Sequence, residues 1–151
     1  MVSMKNFLTY LNELLDRPFP YRVEKGGFGK EGQNTFLFSP SEGDVVRVYL
    51  LYHVNVLHVS FTRNEKLNLT GEGSAERILA TVLELTQKFV EKEVPHEIRI
   101  LAPIEGSGAR QRVYEKIIRR NASRFGFELV SSRMKDREHW DFSLSHKDNV
   151  F

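Results

Sequence analysis

The residues best suited to chemistry surround one turn. Asn68, Leu69, Thr70, Gly71, Glu72, Gly73 and Ser74 run directly into a segment with helical patterning. Glycines at such a place let backbone amides point inward with no Cβ in the way. The first N–H groups of a helix have no intrahelical partner, and the helix dipole adds positive potential there. An anion such as a pyrophosphate is stabilised at that end. These seven residues are therefore candidates for holding phosphate through the backbone. The plainer alternative is a helix entry turn that binds nothing. Upstream, His58 and Ser60 alternate with Leu57, Val59 and Phe61, which puts the His and Ser on the polar face of a strand. Glu97 opens a later strand. A carboxylate or imidazole on such a face can take a proton, directly or through a water.

The elements that must position these groups are legible in the patterning. Met4, Phe7, Leu8, Leu11, Leu14 and Leu15 mark an amphipathic helix over residues 4–16, stopped by Pro18 and Pro20. Tyr21–Val23 and Thr35–Phe38 read as strands around the loop Gly26–Gly32. Ser39–Asp44 is dense in turn formers. Val45–Tyr52 and Val56–Thr62 follow as an antiparallel pair about a turn near His53-Val54-Asn55. The polar stretch Arg63–Gly73 leads to the N-cap Ser74 and a helix carrying Ile78, Leu79, Val82, Leu85, Phe89 and Val90 on one face. Pro95 ends it. Glu97–Leu101 is a short strand and Pro103–Gly108 a loop. Val113, Tyr114, Ile117, Ile118 and Ala122 mark a second helix, punctuated by Gly126. Phe127–Val130 is a strand, Ser131–Glu138 a charged loop, and Trp140–Ser145 an alternating final strand. The order predicts an α+β domain with a mixed sheet covered by helices.

Composition narrows the function classes. The chain has 151 residues, which suits a single domain over 1–151. A net charge of +2 is too small to argue for a nucleic-acid partner, and none is expected. With no cysteine, disulfides, thiolate metal sites and a cysteine nucleophile are excluded. The N-terminal helix is interrupted by Asn12, Glu13 and Asp16, unlike a signal peptide. No stretch approaches the roughly 20 apolar residues that span a bilayer. A cytoplasmic protein with no membrane association is the expectation.

The turn before the helix resembles the Gln/Arg-x-x-Gly-x-Gly/Ala turn of the GNAT superfamily of N-acetyltransferases, with Asn68 in place of the Gln or Arg. Val113-Tyr114-Glu115-Lys116 and Gly126-Phe127-Glu128-Leu129 resemble a second family pattern, a Leu-Tyr-Glu-Lys run followed by Gly-Phe and a strand. The stretch between those two pieces is longer than is usual in the family. The resemblance covers roughly Val45–Leu144 in element order. It implies a GNAT-like fold, a mixed and mostly antiparallel sheet flanked by helices. It implies acetyl-CoA as the acyl donor, no metal, and an amine acceptor. It also implies that the backbone of residues 69–74 holds the pyrophosphate and that Tyr114 protonates the leaving thiolate; for the amine's base, His58 and Glu97 are candidates only by their place on the strands, with an ordinary polar residue as the plainer alternative for each. The pattern further resembles small GNAT-like proteins of tailed bacteriophages, in the Phe/Leu opening helix, Pro20-Tyr21 and Thr62-Arg63-Asn64. That resemblance keeps open a catalytically inactive phage protein with a virion or host-interaction role. The location would then be the host cytoplasm or the virion.

Other signals are weaker. Gly26-Gly27-Phe28-Gly29-Lys30 lacks the spacing of a phosphate loop and reads as a flexible hairpin loop. Arg110, Arg112, Lys116, Arg119, Arg120 and Arg124 give the second helix a basic side, which reads as a solvated face. The histidines His53, His58, His96, His139 and His146 are scattered, which gives a metal site little support. No Gly-x-Ser-x-Gly appears, which argues against a serine hydrolase.

Overall fold

The computed structural model describes residues 18–64, 75–103, 108–135 and 139–147. The predicted helix over 4–16 and the glycine turn over 68–74 lie outside them. Within them are seven strands and two helices. In chain order these are β1 (Tyr21–Lys25), β2 (Gly32–Phe38), β3 (Val46–His53), β4 (Val56–Arg63), α1 (Ala75–Lys92), β5 (Glu97–Pro103), α2 (Gly108–Arg124), β6 (Phe127–Met134) and β7 (His139–His146).

The strands form one sheet in the order β1-β2-β3-β4-β5-β7-β6. Every neighbouring pair is antiparallel except β4 and β5. Those two are joined by α1, as parallel strands need a crossover. The expected α+β class, a mixed and mostly antiparallel sheet with helices, is what the chain adopts.

Strand alternation decides which face is covered. Val48 lies opposite Phe61, Leu50 opposite Val59 and Tyr52 opposite Leu57. Leu57 and Val59 continue to Ile98 and Ile100, and these to Leu144 and Phe142. All of these side chains are buried and share one core with Leu79, Val82 and Phe89 of α1 and with Ile117 and Ile118 of α2. The two helices also touch each other. Burying an aliphatic or aromatic side chain contributes about 1.5–3 kcal/mol. The i, i+3, i+4 stripes of the helices are thus explained as the lid on this face.

Two expectations are corrected. Ser131–Met134 is not loop but the second half of β6, paired to Ser143, Phe142, Asp141 and Trp140. Its polar and charged residues sit on an edge strand, where charge is tolerated. The loop between β1 and β2 is tied down rather than flexible. The buried Asn34 accepts from the Gly27 N–H through Oδ1 (2.9 Å). Its Nδ2 donates to the carbonyls of Lys30 (2.9 Å), Gly32 (3.3 Å) and Leu50 (3.1 Å). Phe28 stacks on Phe36 at 4.8 Å between centroids. Gly29 has φ +78°, and a Cβ there would lie 2.7 Å from Lys92 Cβ, so the loop is pressed against the end of α1.

Candidate functional site

The parallel pair β4–β5 is the place to look, because ligands of open α/β sheets gather beyond the carboxyl ends of parallel strands where the strand order switches. The pairing is short. Val56–Val59 lies in register with Glu97–Ile100, and among the described residues no β4–β5 register continues past Val59 and Ile100. Each strand keeps its other neighbour. Ser60, Phe61 and Thr62 remain paired to Tyr49, Val48 and Arg47 of β3. Leu101, Ala102 and Pro103 remain paired to Asp141, Trp140 and His139 of β7. Toward the ends from which the 65–74 connection and α2 depart, the facing edges of β4 and β5 are thus not paired to each other among the described residues, and an unpaired strand edge can accept an extended amide-bearing chain as an added strand.

Two of the sequence candidates meet on the face of the sheet away from the helices. His58 lies opposite Arg99, which lies opposite Ser143, and Glu97 lies two residues before Arg99. The Glu97 carboxylate accepts from Arg99 Nε at 3.2 Å. His58 titrates below the ordinary imidazole range. Burial is the first cause and the Arg99 guanidinium the second, with Lys135 acting the same way and Glu97 and Asp141 opposing. A neutral imidazole is the form that can accept a proton. Of the two base candidates, His58 is the one not held in an ion pair.

Tyr114 stands elsewhere. It is on α2, fully buried, facing the helix-covered side together with Ile117 and Ile118. One turn away, Gln111 Nε2 donates to Ser132 Oγ (3.0 Å) and Glu115 Oε1 (3.3 Å), and Ser132 Oγ donates to Glu115 Oε1 (2.7 Å). Sequence reasoning missed this group because Ser132 was read as loop. The i, i+4 pair Gln111 and Glu115 was the available signal. Arg99 and Asp141 were missed as well, because their places depend on which strands are neighbours.

The candidates for phosphate binding, Asn68 to Ser74, lie outside the described residues. The helix they lead into is described from Ala75 and carries Glu76 in its first turn. Arg112, Lys116, Arg119, Arg120 and Arg124 are exposed on α2, as a solvated face requires. Among the described residues no group of His, Asp and Glu is arranged to hold a metal ion, and no helix is long and apolar enough to cross a membrane.

No protein-family model and no curated protein sequence matches the chain. Among solved structures it is similar to the ribosomal-protein-S5-alanine acetyltransferase of Vibrio fischeri (12% identity, TM-score 0.42, 77% of this chain and 63% of that one). It is also similar to a protein of Sphaerobacter thermophilus (14% identity, TM-score 0.43, 96% of this chain and 90% of that one). A third is an acetyltransferase of the GNAT family from Streptococcus pneumoniae (11% identity, TM-score 0.37, 97% of this chain and 77% of that one). The chain spans less than two thirds of the Vibrio fischeri enzyme. Superpositions this loose leave the functional reading to the chain's own topology and residues.

Proposed function

We propose that this chain is a GNAT-type N-acyltransferase that binds acetyl-CoA along the unpaired edges of β4 and β5 and transfers the acetyl group to an amine. The observation that carries the reading is the end of pairing between two parallel strands after Val59 and Ile100, with a helix following β4. The amide-rich arm of CoA fits strand edges of this kind as a short added strand. The turn at 68–74 would offer backbone N–H groups to the pyrophosphate. Acetyl-CoA supplies an activated acyl carbon, so no nucleophile of the chain is needed. The amine nitrogen bonds to that carbon as the carbon–sulfur bond breaks. His58, held toward its neutral form, is the better-placed base for the amine's proton, directly or through water. Glu97 is the second candidate. Tyr114 is the candidate donor to the leaving thiolate. A cytoplasmic location follows from this reading.

Calorimetry with acetyl-CoA tests it. Binding in the micromolar to low millimolar range is expected, lost in Gly71→Val and Gly73→Val. A folded protein that takes up no acetyl-CoA at millimolar concentration would refute the proposal.

A second reading is favoured by the complete burial of Tyr114. In it the chain is a GNAT-like bacteriophage protein without catalysis, serving in the virion or in contact with a host protein. Binding of acetyl-CoA without release of CoA over a broad amine panel would favour this second reading.

A further inference from the structure

β6 ends the sheet, and among the described residues no strand pairs with its outer edge. Val130 on it is 58% exposed and Met134 57%, so the edge is open. An unpaired edge carries backbone N–H and C=O groups ready to pair with another chain. The register with β7 slips between Leu129 and Ser131, which makes Val130 a bulge residue. A bulge interrupts the ladder on its own strand. The regular stretch is therefore Ser131–Met134, which continues through the backbone bond from Lys135 N–H to the His139 carbonyl (3.0 Å).

Cations border this stretch on both faces of the sheet. Arg133 stands on the face away from the helices, 66% exposed, with the Asp141 carboxylate 3.9 Å away. Lys135 follows two residues on and is exposed. On the helix face, Ser132 Oγ accepts from Gln111 Nε2 (3.0 Å) and donates to Glu115 Oε1 (2.7 Å). Those bonds identify the flank of α2 that lies against β6. Arg112 and Arg119, three residues before and four after Glu115, neighbour it on the helix surface, and both are exposed. Glu115 is already engaged by Ser132 and Gln111. Glu128, the exposed acid of β6, precedes the bulge and so lies outside the regular stretch.

These charges choose among occupants. A second copy of this chain, paired antiparallel about the middle of the stretch, would set Arg133 against its own copy. Like charges directly opposite across strands are destabilising. Charges of one sign guard an edge against its own kind and still admit a strand of opposite charge. We infer that the outer edge of β6 over 131–135 docks an extended acidic peptide of a partner protein as an added strand. Main-chain hydrogen bonds supply its affinity. Its carboxylates meet Arg133 and Lys135 on one face and Arg112 and Arg119 on the other, while Val130 and Met134 give it apolar contact. β7 and β5 separate this edge from β4, so its occupancy does not rest on acyl transfer.

Amide chemical-shift titration of the full chain at low ionic strength, with a capped peptide of alternating Glu and Val, tests this. Saturable shifts confined to residues 130–135 and 111–119 are expected, and added salt should weaken them. Arg119→Glu and Lys135→Glu, both at exposed side chains, should each weaken binding several-fold. A peptide of alternating Lys and Val should leave the spectrum unmoved. The Glu-Val peptide N-methylated at every residue keeps its charge but cannot donate as a strand, and it should not bind. Undiminished affinity of that N-methylated peptide would reduce the surface to a general polyanion patch and overturn the inference. Tighter binding of oligouridylate than of the peptide would overturn it in favour of nucleic acid. Equal affinity in folded Arg119→Glu and Lys135→Glu, shifts centred elsewhere, or no saturable shift up to about 1 mM peptide would each overturn it as well.

Discussion

Arg63, the last residue of β4, and Asp44, in the turn before β3, form a charge-assisted pair that closes the sheet just ahead of the 65–74 connection. Arg63 Nε donates to Asp44 Oδ1 (3.0 Å) and Oδ2 (2.9 Å), and Nη2 donates to Oδ2. Asn64 Nδ2 and Ser41 Oγ donate to the same carboxylate. Asn64, at φ +51°, also exchanges hydrogen bonds with the backbone of Val45. Arg63 and Asn64 of the Thr62-Arg63-Asn64 run therefore clamp the strand ends together.

Asp44 should make stability pH-dependent. The hydrogen bonds from Arg63 hold its carboxyl below the ordinary value of 3.8, against the opposing effect of burial. A depressed acid stabilises the fold above its unfolded pKa, and that contribution is lost as pH falls through the folded value. Urea unfolding should show Asp44→Asn less stable by about 2 kcal/mol at neutral pH. The gap should narrow below pH about 4. A constant gap across that range would contradict the assignment.

Asn34 is expected to be intolerant in two different ways. Asn34→Ala leaves one N–H and three carbonyls short of their partner, at a cost of about 2–3 kcal/mol. Asn34→Asp keeps the acceptor for Gly27 but sets a carboxylate oxygen against three carbonyl oxygens. Thermal denaturation should rank Asp no better than Ala. A benign Asp variant would show that the amide orientation is wrong.

Val54 offers a gain. It is 70% exposed at the β3–β4 hairpin turn with φ +50°, a left-handed conformation that a β-branched residue resists. Val54→Asn should raise stability by about 1 kcal/mol, because Asn tolerates this region. Equal or lower melting temperature would count against strain at this position.

His58 should report on Arg99. Arg99→Ala removes the cation that depresses the imidazole most, so His58 should titrate at higher pH, moving toward its ordinary value. Imidazole proton shifts followed by NMR measure this directly. If acyl transfer occurs with His58 as base, the acidic limb of its pH profile should move up in the same variant. An unchanged titration would separate the two residues electrostatically.

Tyr114 distinguishes chemistry from packing. As proton donor, its replacement in Tyr114→Phe should slow transfer by about 10²-fold while acetyl-CoA affinity holds. As a packing residue only, the same variant should leave turnover intact and alter the melting temperature alone.

Local pattern alone determined the order of the elements among the described residues, and the polar face of β4 bearing His58 and Ser60. Period-two alternation and helical stripes record which side of an element meets the core, and that information lies within a few residues. Tertiary structure alone decided which strands are neighbours. His58 meets Arg99 because β5 returns beside β4 after α1. Ser131–Met134 becomes strand because β7 supplies the ladder that its own charges do not announce. Asp141 alternates with apolar residues like any solvent-facing position, yet it is buried. The end of β4–β5 pairing, on which the functional reading rests, has no local signature, because a break in pairing belongs to two distant segments at once.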